Sequence, residues 1–281
     1  MYEGIHYNDP SFFQMFVCFF TYPHQNTKKP FIFNAYLYLQ KYRFSGKLYY
    51  MNVHPIPIIA IDGTSSSGKG TLAYRLALHF GYNYLNSGAL YRLSAHLAVI
   101  HGISLEDHSE SNLDQVVSLM QDVEVAFQGK AVIFKGVDIW PILSSQESGN
   151  NAAKISFYPP LRYAIRDFQR SRIQAHGLVA EGRDMCTEVF PDAKIKIFLD
   201  ASVEERAKRR LHEEERRGSG KTIQLLIEEL RTRDAIDKGH LVGGLRIAEG
   251  AHVIDNSDLT VIETINYCIV LCEKHGVQKV L

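Results

Sequence analysis

Residues 58–80 constrain the fold more than any other stretch of this chain. Ile58, Ile59, Ala60 and Ile61 form an apolar run that closes on Asp62, and GTSSSGKGT follows at 63–71. From Gly70 onward Leu72, Ala73, Leu76, Ala77 and Phe80 recur at helical spacing until Gly81 supplies a stop. An unbroken apolar run suits a strand buried on both faces better than a half-exposed one. The segment therefore predicts strand, glycine-rich loop, helix. Further helical patterns cover residues 87–100, 111–120, 160–174, 202–217 and 222–234, and short apolar runs stand at LVAEG (178–182) and IKIFLD (195–200). A last run, HVID (252–255), precedes a helix from Asp258 onward. Strands separated by helices predict an α/β fold, a parallel sheet with helices on both faces. Residues 123–136 break the rhythm by alternating across Gln128-Gly129, which predicts an antiparallel hairpin inserted into that core.

The loop is suited to holding phosphate. Backbone N–H groups must curl inward at a helix N-terminus, and Gly63, Gly68 and Gly70 give the chain that freedom. Thr64, Ser65, Ser66 and Ser67 complete the loop as spacers and hydrogen-bonding groups. Lys69 offers a mobile positive charge to terminal phosphates, and Thr71 a hydroxyl for Mg2+. Gly70 stands where such loops usually carry the metal-binding hydroxyl, which moves that role one residue on. The serines are weak nucleophile candidates, because nucleophilic catalysis needs an oriented base and no G-x-S-x-G turn exists. An N-K-x-D guanine motif is also absent, which argues against a GTPase switch.

Lys+Arg and Asp+Glu both total 31, so no overall field draws the chain to nucleic acid and any anion site must be local. The four cysteines are too scattered for a disulfide framework or a zinc site, which makes a reducing cytoplasm the expected compartment. Cys268 and Cys272, at i and i+4, read as small core residues on one helix face. The first fifty residues differ from the rest: about half of all aromatics lie there, with Lys28, Lys29, Lys41, Arg43 and Lys47 against Glu3 and Asp9. Their apolar run at 12–20 is interrupted by Gln14 and far short of the roughly 20 residues that span a bilayer. Residues 1–50 are expected to be an upstream extension not needed for activity, with Met51 as a natural start.

With the loop, LNSGALYR (85–92), AEGRDMCTEVFPDAKIKIFLDAS (180–202), EERAKRR (204–210) and RTRDAIDK (231–238), residues 58–281 resemble bacterial cytidylate kinases. The resemblance implies a parallel-sheet P-loop kinase core with an inserted monophosphate-binding subdomain at about 105–160 and a helical, arginine-bearing lid at about 204–220. It implies ATP with Mg2+ as phosphoryl donor and CMP and dCMP as acceptors. A monomer is expected, and the charge balance and the short apolar run lead us to expect no nucleic-acid or membrane partner. Lys69, Arg92 and Arg183 would be catalytic, the two arginines forking onto the acceptor phosphate as planar guanidinium groups do best. Asp184 would accept from the cytosine N4 amine, with Ser87 and Arg162 completing the base contacts; against uracil the same carboxylate would face a carbonyl. Asp184 as no more than an ion partner for Arg183 or another arginine remains open. Arg233 and Asp237 match the positions that hold the ribose hydroxyls.

Departures from the family pattern are Ala153 for a ribose-facing Ser, His240 for an Arg, Cys186 for a Gly, and the residues Ile236 and Lys238. A neutral His240 would leave the site one phosphate-directed charge poorer. A kinase for another small acceptor, or a nucleotide-binding regulator without catalysis, are the competing readings.

Overall fold

The computed structural model describes residues 42–44, 47–49, 56–121, 123–173, 176–216, 218–240 and 242–280. The chain divides into two units, residues 1–55 and 56–281. In the first, β1 (Tyr42–Phe44) pairs antiparallel with β2 (Lys47–Tyr49), Arg43 opposite Leu48. The expectation for residues 1–50 otherwise lies outside the described residues. Among the described residues no helix is long and apolar enough to cross a membrane.

The second unit is built on a five-stranded parallel sheet. Its strands are β3 (Ile58–Gly63), β4 (Asn83–Asn86), β8 (Leu178–Gly182), β9 (Ile195–Asp200) and β10 (His252–Asp255), in the order β10-β9-β3-β8-β4. β3 is central, and period-two alternation sends its side chains into two separate cores. Ile59 and Ile61 join Val179, Ile197 and Leu199 beneath α1 (Lys69–Phe80) and α9 (Val261–Lys274), where Leu72, Leu76, Phe80, Cys268 and Cys272 cover them. Ile58 and Ala60 join Leu178 and Ala180 on the other face. There α2 (Ser87–Ile100), α3 (Glu110–Gln121) and α6 (Pro159–Arg170) supply Leu90, Leu93, Val116, Leu161 and Ile165.

The predicted hairpin forms as β5 (Val125–Gln128) and β6 (Ala131–Phe134), and β7 (Val137–Asp138) adds a third antiparallel strand. Two short helices, α4 (Trp140–Leu143) and α5 (Gln146–Ile155), lead from it to α6. After β9, α7 (Val203–Arg216) packs on α8 (Ile223–Gly239) through Ala207, Leu226 and Leu230. Thr222 starts α8 by accepting from the Leu225 N–H. α8 runs past the predicted end at 234, which places Asp237 inside the helix.

Three structural choices root the cleft. Gly63 ends β3 against β9, where a Cβ would stand 2.1 Å from the Leu199 carbonyl oxygen, so strand packing alone demands glycine. Asp62, just before it, accepts from the N–H groups of Met185 and Cys186, both at 2.8 Å, and so anchors the π-helical turn Met185–Val189 that follows β8. Burial raises the Asp62 carboxyl to about 6. Asn86 caps α2 through the Ala89 N–H, which makes Ser87 the first residue of that helix.

Candidate active site

The C-terminal ends of β3 and β8 open into one cleft of about 1240 Å³, the position at which open parallel sheets bind ligands. Its donor end is the glycine loop. Ser66 and Gly68 take left-handed backbone angles, φ 61° and 92°, and curl the chain into the start of α1. Helix geometry leaves the first-turn N–H groups, from Lys69 to Thr71, without acceptors inside α1, and these residues line the cleft. The loop also closes on itself: Thr64 O accepts from Ser67 Oγ at 3.0 Å and from Lys69 Nζ at 3.1 Å, while Thr64 Oγ1 donates to Asp200 at 2.7 Å. Ser65 and Ser67 present their carbonyls outward to Arg206, Arg209 and Asn256.

Lys69 is 8% exposed, and its amine is pushed down to about 7, first by burial and then by the charge of Arg183. Phosphate oxygens beside the amine would favour its charged form. Nucleotide binding is therefore expected to take up a proton between pH 7 and the higher pKa of the complex, and affinity should fall as pH rises through that window. Calorimetric titration at pH 8 in buffers of different ionisation enthalpy reads the uptake directly; equal heats in all buffers would refute it.

The opposite end of the cleft is built from α6, α8 and the residues after β8. Arg183 donates Nε to Asp237 Oδ2 at 2.6 Å, and Arg233 meets Oδ1 of the same carboxylate at 3.0 Å. Against burial, those two guanidinium groups hold Asp237 below the ordinary carboxylate range. Arg162, 5% exposed, donates to Asp184 at 2.8 Å and to the carbonyls of Ser156 and Gly243, both at 2.7 Å. Asp184 is thus paired with Arg162 and not with Arg183. Arg162 also stands over the Tyr91 ring. Ser87, buried, lines the same end. Arg92 reaches across to the carbonyls of Leu143 and Ser145, at 2.6 and 2.7 Å, and is lowered to about 10 by burial and then by Arg233, Arg210 and Arg183. Gly149 makes room for it: a Cβ there would stand 2.8 Å from its guanidinium.

The sequence reading missed three contributors. Glu181, buried at the end of β8, lies 3.5 Å from where a Cβ on Gly70 would stand, so the first turn of α1 abuts a carboxylate. Arg210 lines the cleft from α7 with a buried Nε that has no partner among the described residues. Asn256 follows β10 and holds Ser67 O at 3.0 Å. At the departures, His240 Nδ1 lies 3.3 Å from Arg162, and burial followed by the Arg162 charge lowers its pKa, which leaves it neutral at pH 7. Cys186 is a core residue whose thiol donates to Ala60 O at 3.4 Å. Ala153 lines the cleft without a hydroxyl.

Lys69, Arg92, Arg183, Arg210 and Arg233 therefore crowd one cleft of a chain with no net charge, facing Glu181 and Asp237. Burial and mutual repulsion lower Lys69, Arg92 and Arg233, so crowding these cations is electrostatically costly and a bound polyanion would offset that cost.

Comparison with known proteins agrees with this geometry. Residues 59–274 match the family model described as Cytidylate kinase. A relative from Bordetella bronchiseptica named Cytidylate kinase is 43% identical over 209 residues, 74% of this chain and 92% of its own. One from Burkholderia ambifaria with that name is 41% identical over 213 residues, 76% of this chain and 91% of its own. A third, from Methylococcus capsulatus, is 41% identical over 220 residues, 78% and 98% of the two chains. A shared pattern that spans both ends of the cleft and the sheet between them makes the chain a member of the cytidylate kinase family.

Proposed function

We propose that the protein transfers the terminal phosphoryl group of ATP to CMP, and also to dCMP, giving ADP and the nucleoside diphosphate. The observation that carries this reading is the cleft itself: a glycine loop with Lys69 at one end, the Arg162–Asp184 pair at the other, and a surplus of guanidinium groups between. In our assignment the amides of the loop 63–71 and Lys69 hold the ATP phosphates, while Arg92 and Arg183 hold the acceptor phosphate. Arg233 and Asp237 take the ribose hydroxyls; Ser87, Arg162 and Asp184 read cytosine.

An acceptor phosphate oxygen is already an anion at neutral pH and attacks the γ-phosphorus without a general base. The work left to the protein is alignment and charge neutralisation in a loose transition state. Among the lid cations, Arg206 and Arg209 are committed to carbonyls of the loop and Lys208 to Glu205. Arg210, which lines the cleft with a buried Nε that has no partner among the described residues and whose charge reaches Arg92 and Arg233, is our choice of lid residue for the transferred group. The lid is residues 204–220 and the acceptor-binding insertion residues 105–160, within a catalytic region of 51–281. Closure excludes water, which would otherwise take the phosphoryl group.

Among the described residues no group of three or more His, Cys, Asp or Glu could hold a metal, so Mg2+ would arrive on the ATP phosphates. Thr71 and Glu181, hard oxygen donors lining the cleft, fit that ion and would hold it. There it would supply positive charge against the charge that develops on the phosphate oxygens. Cys186, Cys268 and Cys272 are free and buried, in keeping with the reducing cytoplasm we assign.

ADP release coupled to a reporter reaction tests the reading with CMP, dCMP, UMP and AMP. CMP and dCMP should turn over far faster than UMP or AMP. Turnover of AMP without CMP would overturn the assignment of the base, and ATP binding without turnover of any acceptor would make the protein a regulator.

A further inference from the structure

Amides turned into the cleft require carbonyls turned out of it, and each buried carbonyl needs a donor. Ser65 O finds one on Arg206, which is 5% exposed one turn into α7. Arg206 donates Nε to Ala201 O at 2.9 Å, Nη1 to Ser65 O at 3.1 Å and Nη2 to Asp234 Oδ2 at 2.7 Å. One guanidinium thus joins the end of β9, the phosphate loop and α8. Arg209, one turn on, bonds Ser67, Asn256 and Glu205 and has no bond to α8 among the described residues.

Asp234 lies on α8 directly after Arg233 and one turn before Asp237, the residues assigned to the acceptor's sugar. Its second oxygen, Oδ1, is buried and has no partner among the described residues. A carboxylate kept in such surroundings with one directly bonded arginine, Arg206, and only the more distant charge of Arg183 beside it is a poor source of stability, since desolvation offsets the attraction. Its geometry suits a different purpose. α8 is a continuous helix from Ile223 to Gly239, and Ala207, Leu226 and Leu230 pack it on α7, so a movement at Arg233 and Asp237 carries Asp234 with it.

We infer that the Arg206–Asp234 pair is the link through which acceptor occupancy acts on the phosphate loop, so that CMP tightens ATP binding and ATP tightens CMP binding by the same factor. The reciprocity follows from linkage. Gripping the acceptor fixes α8, Asp234 fixes Arg206, and Arg206 fixes the Ser65 carbonyl with the loop amides in their phosphate-binding orientation. Both are positioning residues and neither touches substrate. The inference rests on CMP as the acceptor.

The test measures the affinity of the β,γ-imido analogue of ATP with Mg2+, alone and at saturating CMP, by calorimetry on the full chain. The unaltered protein should bind the analogue about tenfold more tightly with CMP present. Asp234→Ala should bind it alone within about twofold of the unaltered protein, because Ser65 O keeps Arg206, yet gain almost nothing from CMP. Asp234→Asn, which keeps the shape and one acceptor oxygen, should fold normally and recover part of the gain. An undiminished CMP effect in both variants overturns the link, as does no CMP effect in the unaltered protein. Equal loss of affinity with and without CMP, alongside a lowered melting temperature, makes the pair merely structural and also overturns it. CMP binding is titrated separately: CMP that fails to bind at all removes the proposed function and the link together, whereas CMP that binds without changing analogue affinity removes only the link.

Discussion

Lys69→Met should lower kcat with CMP by about 10³-fold while the protein stays folded, a loss of about 4 kcal/mol of transition-state stabilisation. Lys69 is a cation at the glycine-loop end of the cleft with no direct ion pair among the described residues; its amine donates to the Thr64 carbonyl. Its effect on stability should run the other way. The folded pKa, about 7, lies below the ordinary 10.5, so folding opposes protonation. That opposition is absent above about pH 10.5, grows as pH falls and is complete below about 7. Removing the amine should therefore raise the melting temperature, most at or below pH 7 and not at all near pH 10.5. Steady-state kinetics and melts across pH check both halves. A near-normal kcat would end the phosphate-loop mechanism.

The second large effect is expected at Asp184. Asp184→Ala leaves Arg162 buried with the Ser156 and Gly243 carbonyls, the edge of His240 and the Tyr91 ring but no counter-charge bonded to it, a broken buried ion pair that should cost about 3–5 kcal/mol of stability. In the same variant the preference for CMP over UMP should fall by at least about 10²-fold, because the acceptor aimed at the N4 amine has gone. Asp184→Asn separates the two roles. Its amide keeps an oxygen for Arg162 and offers an N–H₂ that matches the uracil O4, so it should fold better than the alanine variant and shift preference toward UMP. Denaturant titration with kcat/KM for both acceptors reads the result. Stability loss with unchanged selectivity would reduce Asp184 to a counter-ion for Arg162.

How much of this was legible in the sequence follows from where each residue sits. β3 and β8 are buried on both faces and open on apolar runs, and β9 is apolar apart from Lys196 and its closing Asp200, which is why the parallel core was visible. β4 escaped notice because it is an edge strand of sequence NYLN in which Leu85 alone is buried. α5 reads as polar and glycine-containing, and its Gly149 makes sense only beside Arg92, more than fifty positions away in the chain. The glycine loop and the arginines near strand ends carry their chemistry in their spacing. EERAKRR does not: every cation in it suits a solvated helix face. Only the packing of Ala207 on Leu226 and Leu230 sets the rotation of α7, which turns Arg206 and Arg209 onto the loop and Arg210 into the cleft.

Asp62 gives the molecule a fixed gauge. The same short segment that ends in the phosphate loop holds, through two amides, the turn after Arg183 and Asp184, so both grips on the reacting groups are referred to one carboxylate in the rigid sheet. Misplacement by about 1 Å can cost a hundredfold in rate, and this shared origin would keep the spacing independent of any travel of the proposed lid. A lineage altering the base edge at Asp184 or Ser87 could therefore exchange one acceptor for another while the line of attack on the γ-phosphorus stays where the sheet has set it.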